Sequence, residues 1–98
     1  MPLLSFDSLS GQLPTTWRSS LLGQVGPARI KVLRMDAQAY LEETHDYNEG
    51  LLVTSGCLHL SVAGEEVSVG PGQMYLVEAG VAHAVRAGSH GTLVIIDI

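Results

Sequence analysis

From Trp17 onward the chain repeats one pattern: four to eight residues that alternate apolar with polar or run apolar, then a stop rich in glycine, proline or serine. Such segments read as β-strands, and none has the length and 3.6-residue period of a substantial helix. The pattern predicts strands over Trp17 to Leu22, Ala28 to Met35, Ala39 to Thr44, Glu49 to Thr54, Cys57 to Val62, Glu65 to Val69, Met74 to Val77, His83 to Arg86 and Thr92 to Asp97. Turns are expected at Gly23 to Pro27, Ser55-Gly56, Ala63-Gly64, Gly70-Pro71-Gly72, Ala79-Gly80 and Ala87 to Gly91, where glycine admits positive φ and proline fixes an extended entry. Residues 1–16 lack a sustained period and read as an N-terminal arm with a short strand or turn around Leu3 to Leu9, packed on a partner subunit. Residues 17–98 read as the folded domain.

Short strands with this punctuation and no internal repeat predict an all-β chain, closed as a single small antiparallel β-barrel or sandwich. Alternation then assigns faces, because successive side chains on a strand point to opposite sides. Glu49, Leu51 and Val53 share one face and His83 and Val85 another, whereas Leu52 and Arg86 point away. If those faces line the barrel interior, a carboxylate and an imidazole enter one apolar space, where neither sits cheaply without a partner. Met74, Leu76, Val85, Leu51 and Val53 are expected to pack the lumen or core. In Cys57 to Val62 the leucines and valine take one face, leaving Cys57, His59 and Ser61 on the solvent or dimer side, and His90 is expected to be exposed.

Composition narrows the partners. With 98 residues there is room for one core, yet 46% of them are hydrophobic and only 15% charged. Some of that apolar surface is expected to serve a self-contact, so a homodimer is expected. Ten acids against five bases give a net charge of -5, and the bases form no cluster interleaved with aromatics, which argues against nucleic acid. Cys57 is the single cysteine, leaving no internal disulfide and no paired-thiolate metal site. The start of the chain has no basic segment followed by a long apolar run, and no apolar stretch approaches membrane-spanning length, so a cytoplasmic protein with no membrane partner is expected.

The candidate chemistry lies in His45, Glu49 and His83, spaced against Gly56, Gly72 and Gly80. Two imidazoles and a carboxylate held by a rigid sheet can occupy one side of a divalent transition metal and leave other positions open. In this spacing the chain resembles the cupin superfamily over roughly residues 28–97. His45 matches the second histidine of that family's first motif, Glu49 its glutamate and Gly56 its closing glycine. Gly72, Gly80 and His83 match the second motif. Four positions depart: Ala37 for the opening glycine, Glu43 for the first histidine, Glu78 for a proline and Ala87 for an asparagine.

The resemblance implies a small barrel whose ligands converge on one metal, here His45, Glu49 and His83 with Glu43 in place of the missing imidazole. Glu43 and His45 stand two apart, so both side chains can project to one side. Such a donor set suits Fe(II), Mn(II), Ni(II) or Zn(II), and serves calcium poorly. Against it stands a metal-free barrel in which His45 or His83 hydrogen-bonds Glu49 as a satisfied interior group. Glu43 can equally be a ligand, a general base beside an open coordination position, or an acid at the barrel mouth. Tyr47, and less so Tyr40, can offer a hydroxyl to a bound ligand, or can simply pack. The resemblance implies either a metal-dependent enzyme acting on a small polar metabolite, of dioxygenase, isomerase or lyase type, or a non-catalytic ligand-binding or accessory module with a vestigial site.

Overall fold

The computed structural model describes residues 3–39 and 42–98. Its elements are a helix α1 (Phe6–Gly11) followed by seven strands: β1 (Ser20–Val25), β2 (Ala28–Asp36), β3 (Glu49–Val62), β4 (Glu65–Val69), β5 (Met74–Val77), β6 (His83–Val85) and β7 (His90–Asp97). Every strand pairing is antiparallel, and the chain forms the expected all-β barrel of jelly-roll type with one short helix added.

β3 is the strand that builds the barrel. Its first half runs between β7 and β5, with Gly50 opposite Ile96 and Glu49 opposite Val77. Its second half runs between β4 and β6, with Leu58 opposite Val69 and Val62 opposite His83. One continuous strand therefore crosses from one sheet to the other, and Ser55-Gly56 is the bend in it rather than the expected turn. The pairing with β7 shifts register between Val53 and Ser55, the mark of a bulge. Gly56 adopts φ +81° there, facing Gly91 at φ +98°.

The inner faces supply the core: Leu33, Leu51, Val53, Leu58, Leu60 and Leu93 are all buried. Alternation places Leu58, Leu60 and Val62 inward and His59 and Ser61 outward, as the pattern of that segment predicts. The alternation of β5 runs the other way from expectation: Tyr75 and Val77 face inward, while Met74 and Leu76 are 47% and 55% exposed on the outer face. They are not lumen residues. The error lay in reading a four-residue strand without its partner, since Leu52, which faces outward, is the residue opposite Met74.

Three further segments differ from the sequence pattern. The arm forms α1 instead of a strand or turn, and it packs on this chain's own sheet: Ser10 is buried and the Thr54 hydroxyl donates to Asp7. Beneath it Val32 and Val94, outward residues of β2 and β7, are fully covered. Trp17 precedes β1 in a left-handed conformation, φ +60°, so that strand begins at Ser20. Of the predicted strand over Ala39 to Thr44, Tyr40 and Leu41 lie outside the described residues, and the remainder contributes one isolated bridge, Glu43 to His83. No helix among the described residues is long and apolar enough to cross a membrane.

Candidate metal centre

The segment from Glu42 to Asn48 is mostly irregular, yet backbone hydrogen bonds fix it at one end of the barrel. Glu43 and His83 exchange both main-chain bonds, N to O 2.8 Å one way and 3.0 Å the other. In an antiparallel pair, residues opposed in this way direct their side chains to the same face. Two residues on, the Gly80 N–H donates to the His45 carbonyl at 2.7 Å, and the Ala79 N–H to the Asn48 side-chain oxygen at 2.9 Å. Glu49 then opens β3 and His83 opens β6. Four side chains from three segments are thereby brought to one mouth.

Their donor atoms gather closely. His45 Nε2 lies 3.3 Å from Glu43 Oε2 and 3.9 Å from Glu49 Oε2, and His83 Nε2 lies 3.4 Å from Glu49 Oε1. One donor atom each from Glu43, His45 and His83 falls within 4.8 Å of the others, close enough to hold a metal ion. Donors about 2.0–2.2 Å from a common ion stand roughly 3.0–3.6 Å from each other, which the 3.3 and 3.4 Å contacts meet and the 3.9 Å contact exceeds. Glu49, although outside that tightest trio, touches both imidazoles.

The protonation pattern fits the same use. His83 Nδ1 is 3.1 Å from the Val81 carbonyl oxygen, which can only accept, so Nδ1 carries the proton and Nε2 of the neutral ring keeps its lone pair toward the mouth. Both Nε2 atoms are buried and neither makes a hydrogen bond, despite the carboxylates beside them. The same is true of Arg29 Nε and Asp97 Oδ1, an ion pair at 3.2 Å, so what distinguishes the two imidazoles is their contact with carboxylates at one mouth. Two buried imidazole nitrogens, each in contact with a carboxylate oxygen, are the donor set a divalent transition metal takes.

Burial raises the Glu49 carboxyl above its ordinary range, and Asp97 and Glu43 push the same way while the imidazoles oppose them. Glu43 is 56% exposed, so it sits at the rim and within contact distance of His45 at once. Tyr47 stacks on His45, ring centroids 4.9 Å apart and planes 13° from parallel, which fixes the imidazole's orientation. Desolvation, then the charges of Asp97 and Glu49, raise the Tyr47 phenol, keeping it a proton donor. Tyr40 lies outside the described residues. His59 pairs with Ser68 at 3.0 Å and His90 is exposed, and neither joins the mouth.

Sequence reasoning missed the wall opposite. Asp97 is buried, 3.2 Å from Arg29 Nε and 3.0 Å from Lys31 Nζ, and it acts electrostatically on both Glu49 and Tyr47. Carrying the alternation of Leu33 and Leu93 to the ends of β2 and β7 finds all three on the inner face. Below the mouth lies a cavity of about 170 Å³. Glu43, Glu49 and His83 form its polar side, and Trp17, Leu33, Leu51, Leu58, Leu93 and Ile95 are among its apolar walls.

Comparison with known proteins identifies the family and the fold. The family model for a cupin domain matches residues 32–98. A cupin-2 domain containing protein from Shewanella frigidimarina superposes with a TM-score of 0.88 at 19% identity, over 97% of this chain and 93% of that one. A Neisseria meningitidis protein gives 0.84 at 17% identity over 99% of each chain. A Rhizobium leguminosarum protein of unknown function gives 0.75 at 27% identity, over 98% of this chain and 93% of that one. A search of curated proteins returns no sequence match.

Proposed function

The chain belongs to the cupin domain family, and from that membership and the mouth geometry we propose that it binds one divalent transition metal through His45, Glu49, His83 and Glu43 and presents it to the polar head of a small metabolite. The observation that carries the proposal is the clustering of the buried Nε2 atoms of His45 and His83 with carboxylate oxygens 3.3 and 3.4 Å away. Fe(II), Mn(II), Ni(II) and Zn(II) all accept two imidazoles with oxygen donors, and any of them supplies a Lewis acid that polarises a ligand oxygen.

The chain's own groups do the rest. The carbonyl of Val81 and the ring of Tyr47 orient the two imidazoles. The phenol of Tyr47, held protonated, donates to an oxygen of the bound molecule, and Glu43 at the rim accepts or returns a proton. Apolar walls below the rim limit water around the ligand.

Cobalt(II) tests the metal assignment, because its visible bands report coordination by protein ligands. Titration of metal-free protein should saturate at about one equivalent per chain, and His83→Ala should lose the bands while His59→Ala keeps them. Bands that are absent in the parent protein, or that persist in His83→Ala, overturn it. A binding module without turnover is a second reading, favoured by the carboxylate of Glu43 standing 3.3 Å from His45 in place of a third imidazole. Metal-dependent ligand binding with no product formed would select it.

A further inference from the structure

The cavity under the mouth differs from the rim in kind. One side of it carries Glu43, Glu49 and His83, and the rest is built from Leu33, Leu51, Leu58, Leu93 and Ile95, with Trp17 packed against the same core cluster. A polar body such as a sugar ring would leave its hydroxyls there facing hydrocarbon, each without a partner. A site of this kind rejects polar bodies and accepts apolar ones. Its whole volume, about 170 Å³ with the polar side included, is close to the ~150 Å³ apolar cavity known to take up benzene, which sets a phenyl ring as the upper size of the body.

Trp17 is a wall that the structure holds firmly. Its backbone is held at φ +60°, a conformation that bulky L-residues rarely adopt. Its N–H donates to the Arg34 carbonyl at 2.8 Å, and its indole N–H donates to Asp36, which also accepts from the Thr16 hydroxyl at 2.8 Å. Asp36 is in turn held below the usual carboxylate range, first by Thr16 and also by Trp17 and Gln38. A strained residue persists where its surroundings over-determine it, and here they fix an aromatic side chain beside an apolar cavity.

We propose that this cavity selects a ligand with a phenyl-sized apolar body, seated against Trp17 and the leucine walls, and with an oxygen-bearing head at Glu43, Glu49 and His83. The proposal rests on the metal-binding reading for the head, and on the cavity alone for the body. The ligand class is that of small aromatic or compact branched acids, alcohols and hydroxy acids, in preference to sugars. Ser19, exposed at the edge of the same cavity, stands where such a body would enter.

Mandelate and lactate separate the two parts, since they share one 2-hydroxy acid head and differ by phenyl against methyl. With zinc-loaded protein, calorimetry should show mandelate binding at least ~10-fold more tightly than lactate, from burial of the additional apolar surface. Trp17 is the single tryptophan of the chain, so its emission should shift with mandelate and stay unchanged with lactate. Equal affinities, or mandelate binding without a change in Trp17 emission, overturn the proposal.

Benzyl alcohol added to metal-free protein tests the body separately. An emission change there, together with no zinc binding by calorimetry, would sink the metal reading and leave the cavity assignment standing. Zinc binding with no response to benzyl alcohol or mandelate would do the reverse. Ser19→Tyr, at an exposed position, should reduce the preference for mandelate to under ~3-fold by occupying the entrance, and a zinc titration of the same variant reports whether the mouth is intact. Val85→Phe fills the cavity from β6 and should act likewise. Full retention of the preference in both variants contradicts the placement of the body.

Discussion

Gly56→Ala should be among the most damaging single-methyl additions in this protein, and the structure gives the reason in two parts. Gly56 holds φ +81° inside β3, where an L-residue carries a penalty of about 1–2 kcal/mol. A Cβ there would also stand 2.0 Å from the His90 carbonyl oxygen and 2.8 Å from Gly91 Cα. Non-bonded atoms reach their optimum near ~3.5 Å, so β3 and β7 must part by more than about 1 Å at the bend. Forced separation of a packed pair adds about 1–3 kcal/mol. The sum, about 2–5 kcal/mol, is a large part of the ~5–15 kcal/mol available to a domain.

Gly64 provides the control, since it holds φ +84° but a Cβ on it meets nothing within 4 Å. Gly64→Ala should therefore show the conformational penalty alone. Urea denaturation with a common m-value should rank Gly56→Ala below Gly64→Ala by about 1–3 kcal/mol, and melting should fall by roughly a further 4–20 °C. Equal losses in the two variants would refute the steric argument. Because the bend sends one half of β3 toward Glu49 and the other toward the partner of His83, Gly56→Ala should also weaken metal binding where Gly64→Ala does not.

Other consequences are as direct. Ala37 holds φ +74°, so Ala37→Gly should stabilise the protein by up to about 1 kcal/mol in the same denaturation assay, relief of the left-handed strain outweighing the added unfolded-state freedom. The Glu49 carboxyl is raised above 4.5 chiefly by burial, so the folded state holds its proton longer and its ionisation destabilises the metal-free fold as pH rises through that window. Glu49→Gln should therefore melt higher than metal-free parent protein at neutral pH, with the gap closing toward acid, and should lose the stabilisation that zinc confers on the parent. Met74, Leu76 and Ile98 are 47%, 55% and 58% exposed, and a homodimer through this outer face gives twice the monomer mass in light scattering, with Leu76→Glu returning it to monomer. A monomeric parent protein at micromolar concentration would count against that.

What the sequence made legible follows from the range of the forces involved. Turn chemistry and alternation are local, so the strands at Ala28, Glu65, Met74 and His83 begin where the pattern places them. The glycine-histidine spacing likewise identified His45, Glu49 and His83, which the fold brings together. Ser55-Gly56 misled because a glycine that permits a turn equally permits a bend within one long strand, and only β7 across the way distinguishes them. The faces of Met74 and Leu76 depended in the same way on the residues they pair with. Asp97, Arg29 and Lys31 went unnoticed because charges at strand ends read as solvated, whereas the barrel closes over Asp97. Trp17 reads locally as the first residue of a strand, whereas its place beside the cavity comes from contacts with Arg34 and Asp36 nearly twenty residues on.

Elemental analysis of untagged protein, purified without added metal or chelator, tests the central claim most directly. The account predicts close to one divalent transition-metal ion per chain, lost in both His45→Ala and His83→Ala while those variants remain folded by circular dichroism. Protein carrying no stoichiometric metal, and whose melting temperature does not rise with added Mn, Fe, Ni or Zn, would contradict it.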